Sequence, residues 1–274
     1  MISIYDDPSL TIFCCVAAAL FGAAMGSFLN CAAGRIAKEQ SFLKGRSFCP
    51  ACGHTLGAPD LIPVLSWVFL RGKCRYCGAK ISARYVLTEL LFAALTVLCL
   101  LRFDLTVLCL RNWILLCCLF CLSLTDFDAM IIPNGSLLIA AAAWVLAEPF
   151  LFDGWTVLLA HVLTALGVSI GLYLLSLLLT RLLKKESLGF GDVKLFAVMG
   201  LYLGLLPSLF ALILSCILGL LVNLPLRRLR SSGEPFPFGP WIAAGTCIML
   251  FFGEQIVGWY CGVVGLPGFP SFLL

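Results

Sequence analysis

The chain has 274 residues, of which 62% are hydrophobic and 12% charged, and its mean hydropathy is +1.07. A soluble domain is about half apolar and about a quarter charged, so the 18 basic and 14 acidic side chains here are too few to cover the chain in water. This argues against a soluble enzyme, a disordered protein and a secreted disulfide scaffold, and leaves an all-α polytopic membrane protein.

A transmembrane helix needs about 20 predominantly apolar residues. Eight stretches qualify, at about 10–31, 85–102, 109–126, 131–149, 155–180, 192–206, 208–224 and 240–262, the third and sixth being short at their polar ends. Met1–Leu10 has no basic lead-in and no usual cleavage signal, so the first span is expected to stay. The net charge of +4 gains meaning only along the chain. Nine basic residues lie from Arg35 to Arg84, three more are Arg181, Lys184 and Lys185, and another three are Arg227, Arg228 and Arg230. Eight spans put all three clusters on one side, which the excess of Lys and Arg marks as cytoplasmic. Both termini then lie outside. The only sizeable polar segment, about 32–84, is a cytoplasmic insert.

That insert carries two Cys-x-x-Cys-Gly motifs, Cys49 to Gly53 and Cys74 to Gly78. Four thiolates at this spacing match a tetrahedral structural zinc site. The glycines allow the positive φ that such turns favour. Two disulfides are the alternative, but the cytoplasmic side is reducing. A closed four-sulfur shell leaves no place for a reactive water, so the zinc is expected to supply folding energy rather than catalysis. The other eleven cysteines lie mostly in apolar spans and read as small hydrophobes. His54, beside the first motif, reads as solvated.

Acidic residues near the hydrocarbon boundary are expensive and point to function. Asp126 and Asp128 close span three, and Asp192 opens span six within Gly189-Phe190-Gly191-Asp192-Val193-Lys194. Eight spans put both places at the cytoplasmic face. Two close carboxylates share one proton; one then activates water while the other polarises a scissile carbonyl, the chemistry of an aspartic protease. Gly189 and Gly191 would let a peptide backbone approach Asp192. For either Asp alone, a solvated helix end is an even alternative. Asp126 and Asp128 project about 200° apart on a helix, so only one can face the partner, and spacing does not choose. Lys194 is either a cation tuning the pair or a snorkelling interfacial lysine. Glu89 reads as a hydrogen-bonded structural residue, His161 as a polar contact between helices, and Asp104, Glu148, Asp153 and Glu254 as solvated.

In this order, the motifs resemble those of the type IV prepilin peptidases, membrane aspartic proteases of the Gly-x-Gly-Asp class. The resemblance runs from Gly26-Ser27-Phe28-Leu29-Asn30 and Arg35, through Ser47 to Cys52 and the second cysteine pair, to Ile81-Ser82-Ala83-Arg84-Tyr85 with Glu89. It continues through Asp126 to Ile132-Pro133, the Gly189–Asp192 signature with Lys194, and Phe238-Gly239-Pro240. The family's Asp seven residues before Pro selects Asp126. Asn134 departs from it, since many relatives have Asp there. The resemblance implies a multi-pass protein of the bacterial inner membrane. It implies cleavage of prepilins and pseudopilins after Gly at the cytoplasmic face, and N-methylation of the new terminus with S-adenosylmethionine. No Rossmann glycine fingerprint is present, so the methyl transfer rests on resemblance alone. The expected division is a first helix at 1–31, a zinc-knuckle insert at 32–84 and a seven-helix protease core at 85–274. Besides substrate, the expected partner is the lipid bilayer, anionic lipid facing the basic insert, and no nucleic acid. The alternative is an ion-coupled transporter with intramembrane aspartates.

Overall fold

The computed structural model describes residues 3–41, 45–152, 154–184, 188–226 and 236–265. Among them the chain is helical, with two isolated antiparallel bridges in the polar insert in place of any strand. The helices are α1 Pro8–Ile36, α2 Leu65–Phe69, α3 Arg84–Phe103, α4 Val107–Ala129, α5 Asn134–Leu151, α6 Trp155–Leu183, α7 Phe190–Leu203, α8 Leu205–Leu226 and α9 Gly239–Val264. In lipid every backbone polar group must be satisfied internally, which is why long apolar runs settle as helices. Packing divides the chain into two compact units, Met1–Asp128 and Ala129–Leu274.

In the first unit α1 and α3 lie backbone to backbone. A Cβ on Gly22 would come within 2.6 Å of Thr96 Oγ1, and one on Gly26 within 3.0 Å of Phe92 Cβ. Small residues four apart permit such approach where the hydrophobic effect cannot drive helices together. α4 joins through side chains: Trp113 Nε1 donates to Thr96 Oγ1 at 3.2 Å, Trp113 stacks on Phe21, and Phe120 packs on Phe92. Asp7 caps α1 by accepting from Ser9 N–H, with Pro8 in the first turn.

The second unit repeats the device. A Cβ on Gly200 would meet Ala165 Cα at 2.6 Å, bringing α6 and α7 together, and one on Gly245 would meet Ser215 Oγ at 2.5 Å between α8 and α9. His161 of α6 bonds the Leu201 carbonyl through Nδ1 at 2.8 Å, the interhelical contact expected of it. Tyr202 on α7 donates to the Ala140 carbonyl of α5.

Among the described residues, seven helices are long and apolar enough to cross a membrane. The expected sixth span is different. α7 has 14 residues, about 21 Å, against a hydrocarbon core of about 30 Å. Gly204 ends it at φ 74°, and α8 begins at the next residue. Asp104 also departs from a merely solvated reading. It accepts from Ser3 Oγ at 2.6 Å and Ile4 N–H at 3.2 Å, which ties the N-terminus to the α3–α4 turn. Lys44, Asp153, Lys185, Arg227, Arg228 and Arg230 lie outside the described residues.

Candidate active site and metal centre

The two cysteine motifs fold identically. Cys49 N–H donates to His54 O and Gly53 N–H to Cys49 O; Cys74 N–H donates to Ala79 O and Gly78 N–H to Cys74 O. Phe48 bridges Thr55 as Lys73 bridges Lys80. Gly53 and Gly78 stand at φ 72° and 69°, where a Cβ is disfavoured. The four sulfurs of Cys49, Cys52, Cys74 and Cys77 lie within 4.8 Å of one another. Those of Cys49 and Cys77 are 3.9 Å apart, close to the roughly 3.8 Å edge of a zinc–sulfur tetrahedron with bonds near 2.3 Å. None of these four cysteines is in a disulfide. The backbone N–H groups of Cys52 and Ala51 pull the Cys49 thiol down to about 7, toward the thiolate a metal requires. The donor set therefore fits a structural zinc.

Polar contacts tie the knuckles together and to the membrane helices. Asp60 accepts from Gly57 N–H, Arg75 Nε and Tyr76 Oη; these hold its carboxyl below the usual range, the Gly57 bond most. The Tyr76 ring also covers the exposed His54, which lies outside the four-sulfur cluster. Glu89 on α3, only 7% exposed, accepts the Val64 N–H at 2.7 Å, so its structural role is a bond from α3 to the insert.

At the end of α4, Asp126 is 6% exposed. Asp128 is exposed and takes a bidentate ion pair from Arg84 at the start of α3. The two carboxylates that spacing left equivalent thus occupy different environments.

Asp192 lies in the first turn of α7, half-buried, behind an extended Gly189 at the N-cap. A Cβ on Gly189 would stand 3.2 Å from Asp192 Oδ2, and one on Gly191 would stand 3.1 Å from Ile132 Cβ. Both glycines therefore sit where a side chain would press closely on a neighbour. Lys194 donates to Asn134 Oδ1 at 3.1 Å and lies 4.7 Å over the Phe190 ring. The residue that departs from the usual pattern is thus the one that receives the lysine.

Two family models match the chain: the bacterial peptidase A24 N-terminal domain over residues 20–103 and the type IV leader peptidase family over residues 113–224. A prepilin leader peptidase/N-methyltransferase of Aeromonas salmonicida (strain A449) is 35% identical over 80% of this chain and 75% of its own length. One of Bacillus subtilis (strain 168) is 33% identical over 88% of this chain and 95% of its own. The chain belongs to the type IV leader peptidase family. A third relative of the same description, from Pseudomonas putida, is 34% identical over 81% of the chain and 76% of its own length. No solved structure matches.

As a leader peptidase family member and a multi-pass membrane protein, the chain has nothing that favours the transporter alternative. Sequence reasoning passed over Asp60 and Val64, and gave Arg84 and Ile132 no role of their own. Those two carried a signal, Arg84 inside the motif that leads into α3 and Ile132 inside the one that follows Asp126.

Proposed function

We propose that the chain is a membrane aspartic endopeptidase that removes the leader of type IV prepilins and pseudopilins after Gly and N-methylates the new terminus. The carrying observation is the Gly189–Asp192 turn in a chain of this family: a carboxylate at a helix start, with two preceding glycines where a Cβ would press closely on a neighbour. In this reading Asp126 and Asp192 are the catalytic carboxylates, with Gly189, Gly191 and Lys194 in support. They share one proton. The ionised member takes a proton from water as its oxygen attacks the scissile carbonyl, and the protonated member hydrogen-bonds the carbonyl oxygen. Collapse passes a proton to the leaving amine, giving a leader carboxylate and a mature pilin with a free α-amine. The methyl group comes from S-adenosylmethionine when it is bound.

The basic insert places the chemistry at the cytoplasmic face of the inner membrane. α7 completes an eighth crossing through local thinning of the bilayer. Residues 85–274 carry the protease, 1–31 provide the first helix, and 32–84 form a zinc-stapled appendage held by Cys49, Cys52, Cys74 and Cys77. The basic surface of that appendage faces anionic lipid.

The test incubates detergent-purified protein with a full-length prepilin and isotopically labelled S-adenosylmethionine, and follows product mass. Loss of the leader with one labelled methyl on the new terminus is expected, together with about one zinc per chain by elemental analysis. An uncut prepilin overturns the peptidase assignment. Cleavage without label overturns the methyl transfer alone.

A further inference from the structure

A second cysteine cluster lies at the opposite end of α3 from the insert. Cys99 is in the last turns of α3, and Cys109 is the third residue of α4, across the turn at 104–106. Their sulfurs are 3.9 Å apart. Each sulfur also approaches the other residue's carbonyl, Cys99 Sγ to Cys109 O at 3.6 Å and Cys109 Sγ to Cys99 O at 3.7 Å. The two thiols therefore face each other across the turn. Cys99 is 1% exposed and Cys109 is half-buried, so only one thiol meets an incoming reagent.

The sidedness decides what this pair does. The cytoplasmic tetrad begins from the N-terminal side of α3, and α3 is a full crossing. The α3–α4 turn therefore emerges on the outer, oxidising side. This step rests on the orientation in the proposed function and on nothing else in it. We propose that Cys99 and Cys109 form a disulfide on the outer side of the membrane, which staples the α3–α4 hairpin. The oxidant is a disulfide-bearing exchange partner there. The Cys109 thiolate attacks one sulfur of the donor disulfide and displaces a donor thiolate. The Cys99 thiolate then attacks Cys109 Sγ in the mixed disulfide and releases the second. Two thiols lose two protons and two electrons, and the donor becomes a dithiol. Elsewhere α3 and α4 meet through Phe92 on Phe120 and Trp113, Trp113 on Thr96, and Arg84 on Asp128, and the disulfide closes the hairpin at the end away from that ion pair.

The experiment expresses the full chain in a bacterial inner membrane, blocks thiols in the intact cells with a permeant maleimide, denatures in an excess of the same reagent so that shielded thiols are blocked too, removes it, reduces, adds a second, heavier maleimide, and maps the peptides. The expected result is the heavy label on Cys99 and Cys109 and the light label on Cys49, Cys52, Cys74 or Cys77 wherever metal is lost. Light label on both Cys99 and Cys109 overturns the disulfide. A Cys99→Ser chain treated with a membrane-impermeant maleimide separates the causes. Labelling at Cys109 keeps the orientation, so a reduced wild-type pair then refutes the disulfide alone. No labelling at Cys109, with labelling after permeabilisation, refutes the orientation and the disulfide together. If the bond forms, Cys99→Ser and Cys109→Ser each lower the melting temperature of the non-reduced protein, and neither changes that of the reduced protein.

Discussion

Arg84 holds Asp128 through both carboxylate oxygens, with Nη2 2.7 Å from Oδ2 and Nη1 on Oδ1. The pair joins the first turn of α3 to the last turn of α4. It also engages the carboxylate that competes with Asp126 for a catalytic role. A carboxylate with both oxygens engaged by one guanidinium has neither oxygen free to face a second acid.

Asp126→Asn is therefore expected to cut prepilin cleavage by about 100- to 10,000-fold, the range for loss of a general acid or base. Asp128→Asn and Arg84→Ala lose a partly exposed ion pair of about 1 kcal/mol or less, so their rates stay within about fivefold of wild type. Initial rates on one prepilin compare the three. An inactive Asp128→Asn beside an active Asp126→Asn would reverse the assignment.

Gly191 stands against Ile132, just before α5. Replacing it with Ala puts a Cβ 3.1 Å from Ile132 Cβ and 3.2 Å from its Cδ1. Overpacking of this kind costs about 1–3 kcal/mol. Gly191→Ala should lose both activity and several degrees of thermal stability. Ile132→Ala, which removes the outer carbons, should restore part of each. A double-mutant cycle on the melting temperature reads the coupling; additive effects would mean the two residues do not press on each other.

The membrane helices were readable from apolar runs because lipid leaves a backbone little choice but to close its own hydrogen bonds. The knuckles were readable because Cys-x-x-Cys-Gly specifies its own turn. The choice between Asp126 and Asp128 was not readable from spacing, only from the resemblance, because two positions on one helix acquire different environments only when Arg84, 44 residues away, reaches one of them. Nor was the shortness of α7, since apolar residues run on through Gly204 and only its positive φ divides them. Asp60, which binds Arg75 and Tyr76 of the second knuckle, left no local mark at all.

Asp104 offers a pH prediction outside the membrane. The Ser3 hydroxyl, then the Leu105 and Ile4 N–H groups, hold its carboxyl below the usual value. A folded value below the unfolded one means the contribution is fully present above about pH 4, the ordinary carboxylate range. It is lost as pH falls through the folded value. Hydrogen exchange at the Ile4 amide should therefore be slow at neutral pH once corrected for intrinsic rate, and lose protection below that range. Asp104→Asn should show the unprotected behaviour already at neutral pH. Equal protection in both proteins would remove Asp104 as the anchor.

Val64 is a β-branched residue at φ 61° and ψ −53°, and Leu65 N–H reaches back to Pro63 O at 2.5 Å. This is the rare, strained form of the γ-turn, and its central N–H points at Glu89. Strain of this kind persists only where the surroundings over-determine it. Leaving a buried donor or acceptor unpaired costs about 1–3 kcal/mol, comparable to the strain of such a turn. Glu89→Ala should release the turn and undock α2, raising hydrogen exchange at Val64 and Leu65 while the four cysteines keep their zinc. Glu89→Gln retains an acceptor oxygen and should behave nearly as wild type. Val64→Gly removes the Cβ penalty and should protect the turn further in the wild-type background. Unchanged exchange in Glu89→Ala would show that the knuckles alone hold the turn, and that α3 contributes nothing to placing the insert.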